Sequence, residues 1–204
     1  MNLEHIDEDK KMNIINAALR LFSKNGYKHT TTESITKNAN ISKGLLFHYF
    51  KNKKTLYFYL YDYSVQLIVD EIMNKKESTS DDFFEYVKEN TKNKWKMMET
   101  YPYIYLFLIS SVKEEDKEIK EYVMTKTKEL RDDSWNEVIK KVDRSKFKHP
   151  EDLEKVIHLI TYYSNGLMKE FVEQENFDIK NGTRQFMEII DMFKRNFYKD
   201  EYVK

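Results

Sequence analysis

Three features of this 204-residue sequence predict an all-α fold of about nine helices. Gly and Pro number only four and two, too few to punctuate a β-sandwich or barrel. Apolar residues recur three and four apart along most of the chain, the period of an amphipathic helix. Capping residues stand at the breaks between these stretches, where a helix needs acceptors for its first N–H groups.

The first helix is expected from about Asp9 to Asn25, with Ile14, Ile15, Ala18, Leu21 and Phe22 on one face and Gly26 as its C-terminal stop. Thr30 and Glu33 have capping-box spacing, which starts a second helix at about Thr31. Asn38 and Asn40 flank Ala39 in a tight turn, since Asn tolerates left-handed backbone. Ser42 caps a third helix. Asn52 caps a fourth running to about Lys76, and ESTSDD (residues 77–82) is loop plus cap. A fifth spans about Asp82 to Glu99, a sixth Pro102 to Val112, and a seventh about Lys117 to Val142. Pro150 opens an eighth to about Gln174, residues 176–178 form a break, and a ninth covers about Ile179 to Tyr198.

Helices two and three have the layout of a helix-turn-helix, whose second helix enters the DNA major groove. Charge agrees. From Lys10 to Thr55 there are ten basic residues and one acid, Glu33, a net of +9. The whole chain balances 35 basic against 35 acidic residues, so the rest carries −9. A basic module on an acidic body is the asymmetry expected of a chain that meets phosphates at one end. Gly44, inside the third helix, costs about 1 kcal/mol relative to Ala. It serves either close approach of DNA to the backbone or tight helix packing, and spacing favours neither.

Residues 10 to 60 resemble the TetR-type transcriptional regulators. The resemblance rests on LFSKNGY (Leu21 to Tyr27), on Thr31 and Thr32, and on ISKGLLFHYFKNKKTL (Ile41 to Leu56). Thr36 stands where alanine is common and Asn40 where a turn glycine is common. Beyond about residue 70 only length and helical layout agree. The resemblance implies a helix-turn-helix DNA-binding domain over residues 1–52 and a helical ligand-sensing and dimerisation domain over 53–204. It implies base-edge contacts by Lys43 and Leu45, with lysine suited to guanine O6/N7 and leucine to a thymine methyl. Thr31 and Thr32 would hold a phosphate at the second helix's N-terminus. His48, Tyr49 and Lys53 would bind phosphates, Ser42 would cap, contact phosphate or do both, and Phe47 would lie against a sugar or base.

The last two long helices carry the expected homodimer face: Ile157, Ile160, Ser164, Leu167 and Phe171, then Phe186, Ile189, Ile190 and Phe193. The simpler account of these faces is that they cover the chain's own core. A two-fold dimer would read a near-palindromic operator with half-sites about 34–36 Å apart. Between the two ends the chain is rich in aromatics and methionine, which line adaptable apolar pockets and equally fill cores. Trp95, Met98, Tyr103, Phe107, Met124, Trp135, Tyr162 and Tyr163 are the candidates for a small apolar, aromatic or long-chain acyl effector. The function implied is a ligand-released repressor, with activation compatible with the same features. The alternative is a DNA-binding regulator whose C-terminal part docks a protein.

Other classes find little support. There is no cysteine, so no disulfide or thiolate chemistry. The five histidines show no metal-ligand spacing, and HExxH, P-loop and GxSxG motifs are missing. No catalytic residue, metal or cofactor is therefore expected. The polar, acidic N-terminus is not a signal peptide. The most apolar run, YIYLFLISSV (residues 103–112), is far short of the ~20 residues that span a bilayer. A cytoplasmic protein without a membrane partner is the expectation.

Overall fold

The computed structural model describes residues 7–74, 80–173 and 179–203, with the side chains of 72–74, 132–134, 171–173 and 179 left aside. Among these residues the chain is all-α: α1 (Glu8–His29), α2 (Thr32–Ala39), α3 (Lys43–Phe50), α4 (Lys53–Asn74), α5 (Phe83–Thr100), α6 (Pro102–Ser111), α7 (Lys117–Lys141), α8 (Leu153–Glu173) and α9 (Ile179–Phe197). The expected end of the fourth helix at Lys76, the first part of the following loop and the break at 176–178 lie outside the described residues. Pro150 begins a short 3-10 turn, Pro150–Asp152, and α8 follows from Leu153. The described residues pack as two units, 7–74 with 97–128, and 80–96 with 129–203. The expected boundary at residue 52 falls inside the first of them.

In the first unit, α1 buries Ile14, Ile15, Ala18, Leu19 and Phe22 against Ile35 and Ala39 of α2 and Leu46 and Phe50 of α3. Leu56, Tyr57 and Leu60 of α4, Phe107 of α6 and Val123 of α7 join the same core. Rings interlock at its centre: Tyr57 lies 4.9 Å from Phe22, 5.4 Å from Tyr27 and 5.0 Å from Phe107, centroid to centroid. Burial pushes the Tyr57 phenol far above its ordinary pKa.

Gly26 breaks α1 as expected, with φ 72°, a left-handed conformation that suits glycine. One further turn follows to His29 because its polar groups find partners elsewhere. The Tyr27 N–H donates to Glu114 Oε1 at 2.7 Å. The Thr30 hydroxyl donates to Leu21 O at 3.1 Å and Gly26 O at 2.8 Å. Lys53 Nζ donates to Tyr27 O at 2.7 Å and Thr30 O at 2.9 Å and lies 4.2 Å from the Tyr27 ring centre. These groups satisfy carbonyls that a helix end leaves open.

In the second unit, Phe83, Phe84 and Val87 of α5 meet Val138 of α7, Phe147, and Leu153, Val156, Ile157 and Ile160 of α8. Phe186 and Ile190 of α9 and Tyr198 complete this core. The Phe83 N–H donates to the buried Tyr198 hydroxyl at 3.0 Å. Asp82 caps α5, accepting from the Phe84 and Glu85 N–H groups at 3.0 and 3.1 Å, and also pairs with Lys194 at 2.9 Å.

Candidate nucleic-acid interface

The α2–α3 motif is built by caps and one left-handed residue. Thr31, not Thr30, caps α2: its hydroxyl accepts the Ser34 N–H at 3.1 Å. The capping box expected from Thr30 and Glu33 therefore does not form, because Thr30 is committed to the end of α1. Asn40 ends α2 at φ 53°, ψ 49°. The Asn40 and Ile41 N–H groups return to Lys37 O and Thr36 O at 3.4 and 3.1 Å, a Schellman-type closure. Ser42 then caps α3, accepting the Leu45 N–H at 3.1 Å. Asn52 caps α4 by accepting the Thr55 N–H at 2.8 Å.

These caps leave one exposed face. Thr31, Ser42, Lys43, Gly44, Phe47 and His48 are solvent-facing, and Thr32 and Leu45 are half-buried. A Cβ added at Gly44 would meet only Ser42 Oγ, at 4.0 Å, so tight packing within this chain does not require glycine there. Phe47 keeps 37% of its surface, unlike Phe50 one turn-step away, which is core. Lys43 Nζ pairs with Glu33 Oε1, and the Thr32 hydroxyl donates to Glu33 Oε2 at 3.2 Å. The hydrogen bond from Lys43, foremost, holds the Glu33 carboxyl below its usual pKa.

Two expected phosphate ligands sit differently. The Tyr49 ring is 7% exposed and packs in the first core, edge-on to His48 at 5.2 Å. Its hydroxyl makes no hydrogen bond among the described residues and is not a buried unpaired atom, so it reaches the surface. The Lys53 ammonium, by contrast, turns inward to the α1 carbonyls, and desolvation lowers its pKa. Sequence reasoning read Lys53 as a surface charge and missed this cap, because its acceptors are backbone groups 23 and 26 residues away. It likewise saw Glu33 as a cap and missed its pairing with Lys43.

The sensor candidates belong to both units, and the dimer candidates to the second. In the first unit Phe107 is fully buried core, Met98 is half-buried, and Tyr103 and Met124 are open to solvent, Met124 at 59%. In the second, Trp95 is half-buried and Tyr163 stacks on Phe186 at 6.1 Å. Trp135 and Tyr162 line an open groove of about 330 Å³ between α7 and α8, with Arg131, Ile139, His158 and Asn165. Of the dimer candidates, Ile157, Ile160, Leu167, Phe186 and Ile190 are buried within this one chain, in the core of the second unit. Ser164, Ile189 and Phe193 keep part of their surface, and the Phe171 side chain lies outside the described residues. Among the described residues of α8 and α9, Leu159, Tyr162 (75% exposed) and Met192 are open to solvent, and a Cβ added at Gly166 would meet nothing within 4 Å.

Among the described residues, no helix is long and apolar enough to cross a membrane, and no three His, Cys, Asp or Glu residues form a metal-binding group.

The sequence pattern of the family described as Bacterial regulatory proteins, tetR family, matches residues 14–60. YerO of Bacillus subtilis, an HTH-type transcriptional regulator, is 29% identical over 127 residues, covering 59% of this chain and 43% of YerO. The Staphylococcus aureus biofilm operon icaADBC negative regulator IcaR is 39% identical over 64 residues, 31% of this chain and 32% of IcaR. The chain thus spans less than two thirds of the length of these relatives. The fold is similar to that of the transcriptional regulator FadR from Bacillus subtilis in complex with stearoyl-CoA, with TM-score 0.63, 16% identity, and coverage of 88% of this chain and 97% of that one. These are transcription regulators rather than enzymes. Residues 14–60 thus carry the DNA-binding sequence pattern of the tetR family of bacterial regulatory proteins, and the fold is similar to that of solved transcriptional regulators.

Proposed function

We propose that the protein is a cytoplasmic, sequence-specific repressor that binds a near-palindromic operator as a homodimer and leaves it when a small ligand binds. The observation that carries this reading is the α2–α3 face, where Lys43, Gly44, Phe47 and His48 are exposed and the fold makes no use of Gly44's missing side chain. The start of α3 would lie in the major groove, with Lys43 and Leu45 at base edges. Thr31, Thr32, Ser42, His48 and the Tyr49 hydroxyl would hold phosphates and fix the register. Lys53 would act one step back, fixing the end of α1 behind that surface.

The exposed apolar side chains Leu159 and Tyr162 of α8 and Met192 of α9 support pairing of two copies through these helices, since exposed apolar surface marks association sites. Gly166 would let the partner helix come close. An apolar, aromatic or long-chain acyl effector is the class we favour. The fold-level likeness to FadR, whose structure holds stearoyl-CoA, supports the acyl choice. Release then needs a ligand that binds one arrangement of the dimer better than the DNA-bound one.

Selection of bound fragments from random duplex DNA tests the reading. A near-palindromic consensus with half-sites about one helical turn apart is the expected result. Failure to enrich any sequence at low salt overturns sequence-specific binding. Adding acyl-CoA thioesters of graded length to the selected complex tests the effector class, with release as the readout.

A further inference from the structure

Glu33 is the one acid among residues 10–55, and it sits on the face that would meet phosphates, where a carboxylate is repelled. Helix capping does not account for it, since Thr31 caps α2 and Thr30 serves α1. At the second position of α2 it gains a little from the helix dipole, as would any acid in that turn. What is particular to Glu33 is its reach across to α3. One carboxylate oxygen pairs with Lys43 Nζ and the other accepts from the Thr32 hydroxyl. The Lys43 ammonium also lies 5.8 Å from the Phe47 ring centre. Both contacts hold that lysine at the exposed start of α3.

We propose that Glu33 is a specificity-determining residue: it occupies Lys43 on duplexes that offer only phosphates and yields it where the major groove presents the O6/N7 acceptors of guanine. The proposal rests on the DNA-binding reading above. Its physical basis is a balance of small quantities. An exposed ion pair is weak and opens readily, so a good pair of base acceptors competes for the ammonium. A lone phosphate, screened by salt and met by many other cations, gains less from the exchange. Glu33 therefore lowers affinity for every sequence, and lowers it least where guanine lies under Lys43.

The test compares wild type, Glu33→Gln, Lys43→Ala and the double variant. Each is titrated against the duplex recovered by selection and a random duplex of the same length, across a salt series. Glu33→Gln keeps the side chain's shape and its Thr32 contact. It is expected to bind the random duplex about three- to tenfold more tightly, with salt dependence steeper by about one counterion per subunit. Affinity for the selected duplex should change less, so the specificity ratio falls. With Lys43 replaced by Ala, the gain from Glu33→Gln should shrink to what plain repulsion of the carboxylate contributes. An equal gain with and without Lys43 would make Glu33 a source of plain repulsion and overturn the proposal. So would unchanged affinity for random DNA. A wild-type protein that binds neither duplex overturns the DNA-binding reading itself; wild-type binding with either adverse result overturns only the role of Glu33.

Discussion

The face formed by α2 and α3 and the outer helices α8 and α9 both present amphipathic sequence, yet they use it in opposite ways. On α3 the residues that stand out in the sequence, Lys43, Gly44, Phe47 and His48, are those the fold leaves exposed. On α8 and α9 the residues that stand out, Ile157, Ile160, Phe186 and Ile190, are consumed by packing within the chain. Periodic apolar residues announce that a helix has a buried face without saying what buries it. A glycine, histidine or aromatic that no internal contact requires is a better pointer to an external partner.

That contrast can be broken most severely by paired truncations. Phe22→Ala, at the centre of the first core, should cost about 3–5 kcal/mol of stability. Phe47→Ala, on the exposed face, should stay within about 0.5 kcal/mol of wild type while weakening DNA binding. Denaturant melts of both, with a binding titration of the second, check the pair. Comparable stability losses would erase the distinction.

Lys53→Ala comes next. Removing the ammonium leaves Tyr27 O and Thr30 O without their donor, at a cost of roughly 1–3 kcal/mol. A surface phosphate ligand would instead leave the melt unchanged and lower only the salt dependence of binding. Measuring both on one variant separates the two roles.

Gly44→Ala should move stability and binding in opposite directions. The added Cβ meets nothing closer than 4.0 Å, so the helix gains up to about 1 kcal/mol. A higher melting point with weaker DNA binding is the expected pair of results. A gain in stability with unchanged binding would show that DNA does not approach the backbone there.

The smallest expected effect lies in pH. Partial burial, foremost, raises the Glu114 carboxyl pKa in the folded chain. The unfolded chain then loses its proton first as pH rises. Stability contributed at this position is highest below the unfolded pKa and falls as pH climbs through the folded one. Glu114→Gln should thus look better against wild type at neutral pH than at pH 4. A stability difference that does not vary with pH would remove the titration of Glu114 from the account.

Much of the fold was legible because caps and breakers act locally. Asn40 in the left-handed turn, Ser42 and Asn52 as caps, and Gly26 as a break are all where the sequence puts them. What escaped was long-range partnership. Lys53 finds carbonyls on α1, Glu33 crosses to α3, and Thr30 turns back to Leu21. None of these pairs shares a helix turn, so spacing carries no trace of them. The apolar stripe of α8 shows the same limit: its period marks a buried face, and only the structure shows that α5 and α9 of the same chain cover part of it.

The bond from the Tyr27 N–H to Glu114 spans 87 positions of sequence, and it has a practical meaning for anyone who wishes to transplant the helix-turn-helix. The motif is not a portable cassette. A fragment cut at residue 52 would strip Phe22 of its Tyr57 and Phe107 neighbours and Tyr27 of its acceptor. A chimaera that is to keep the motif's shape must carry α4, α6 and the start of α7 along with it.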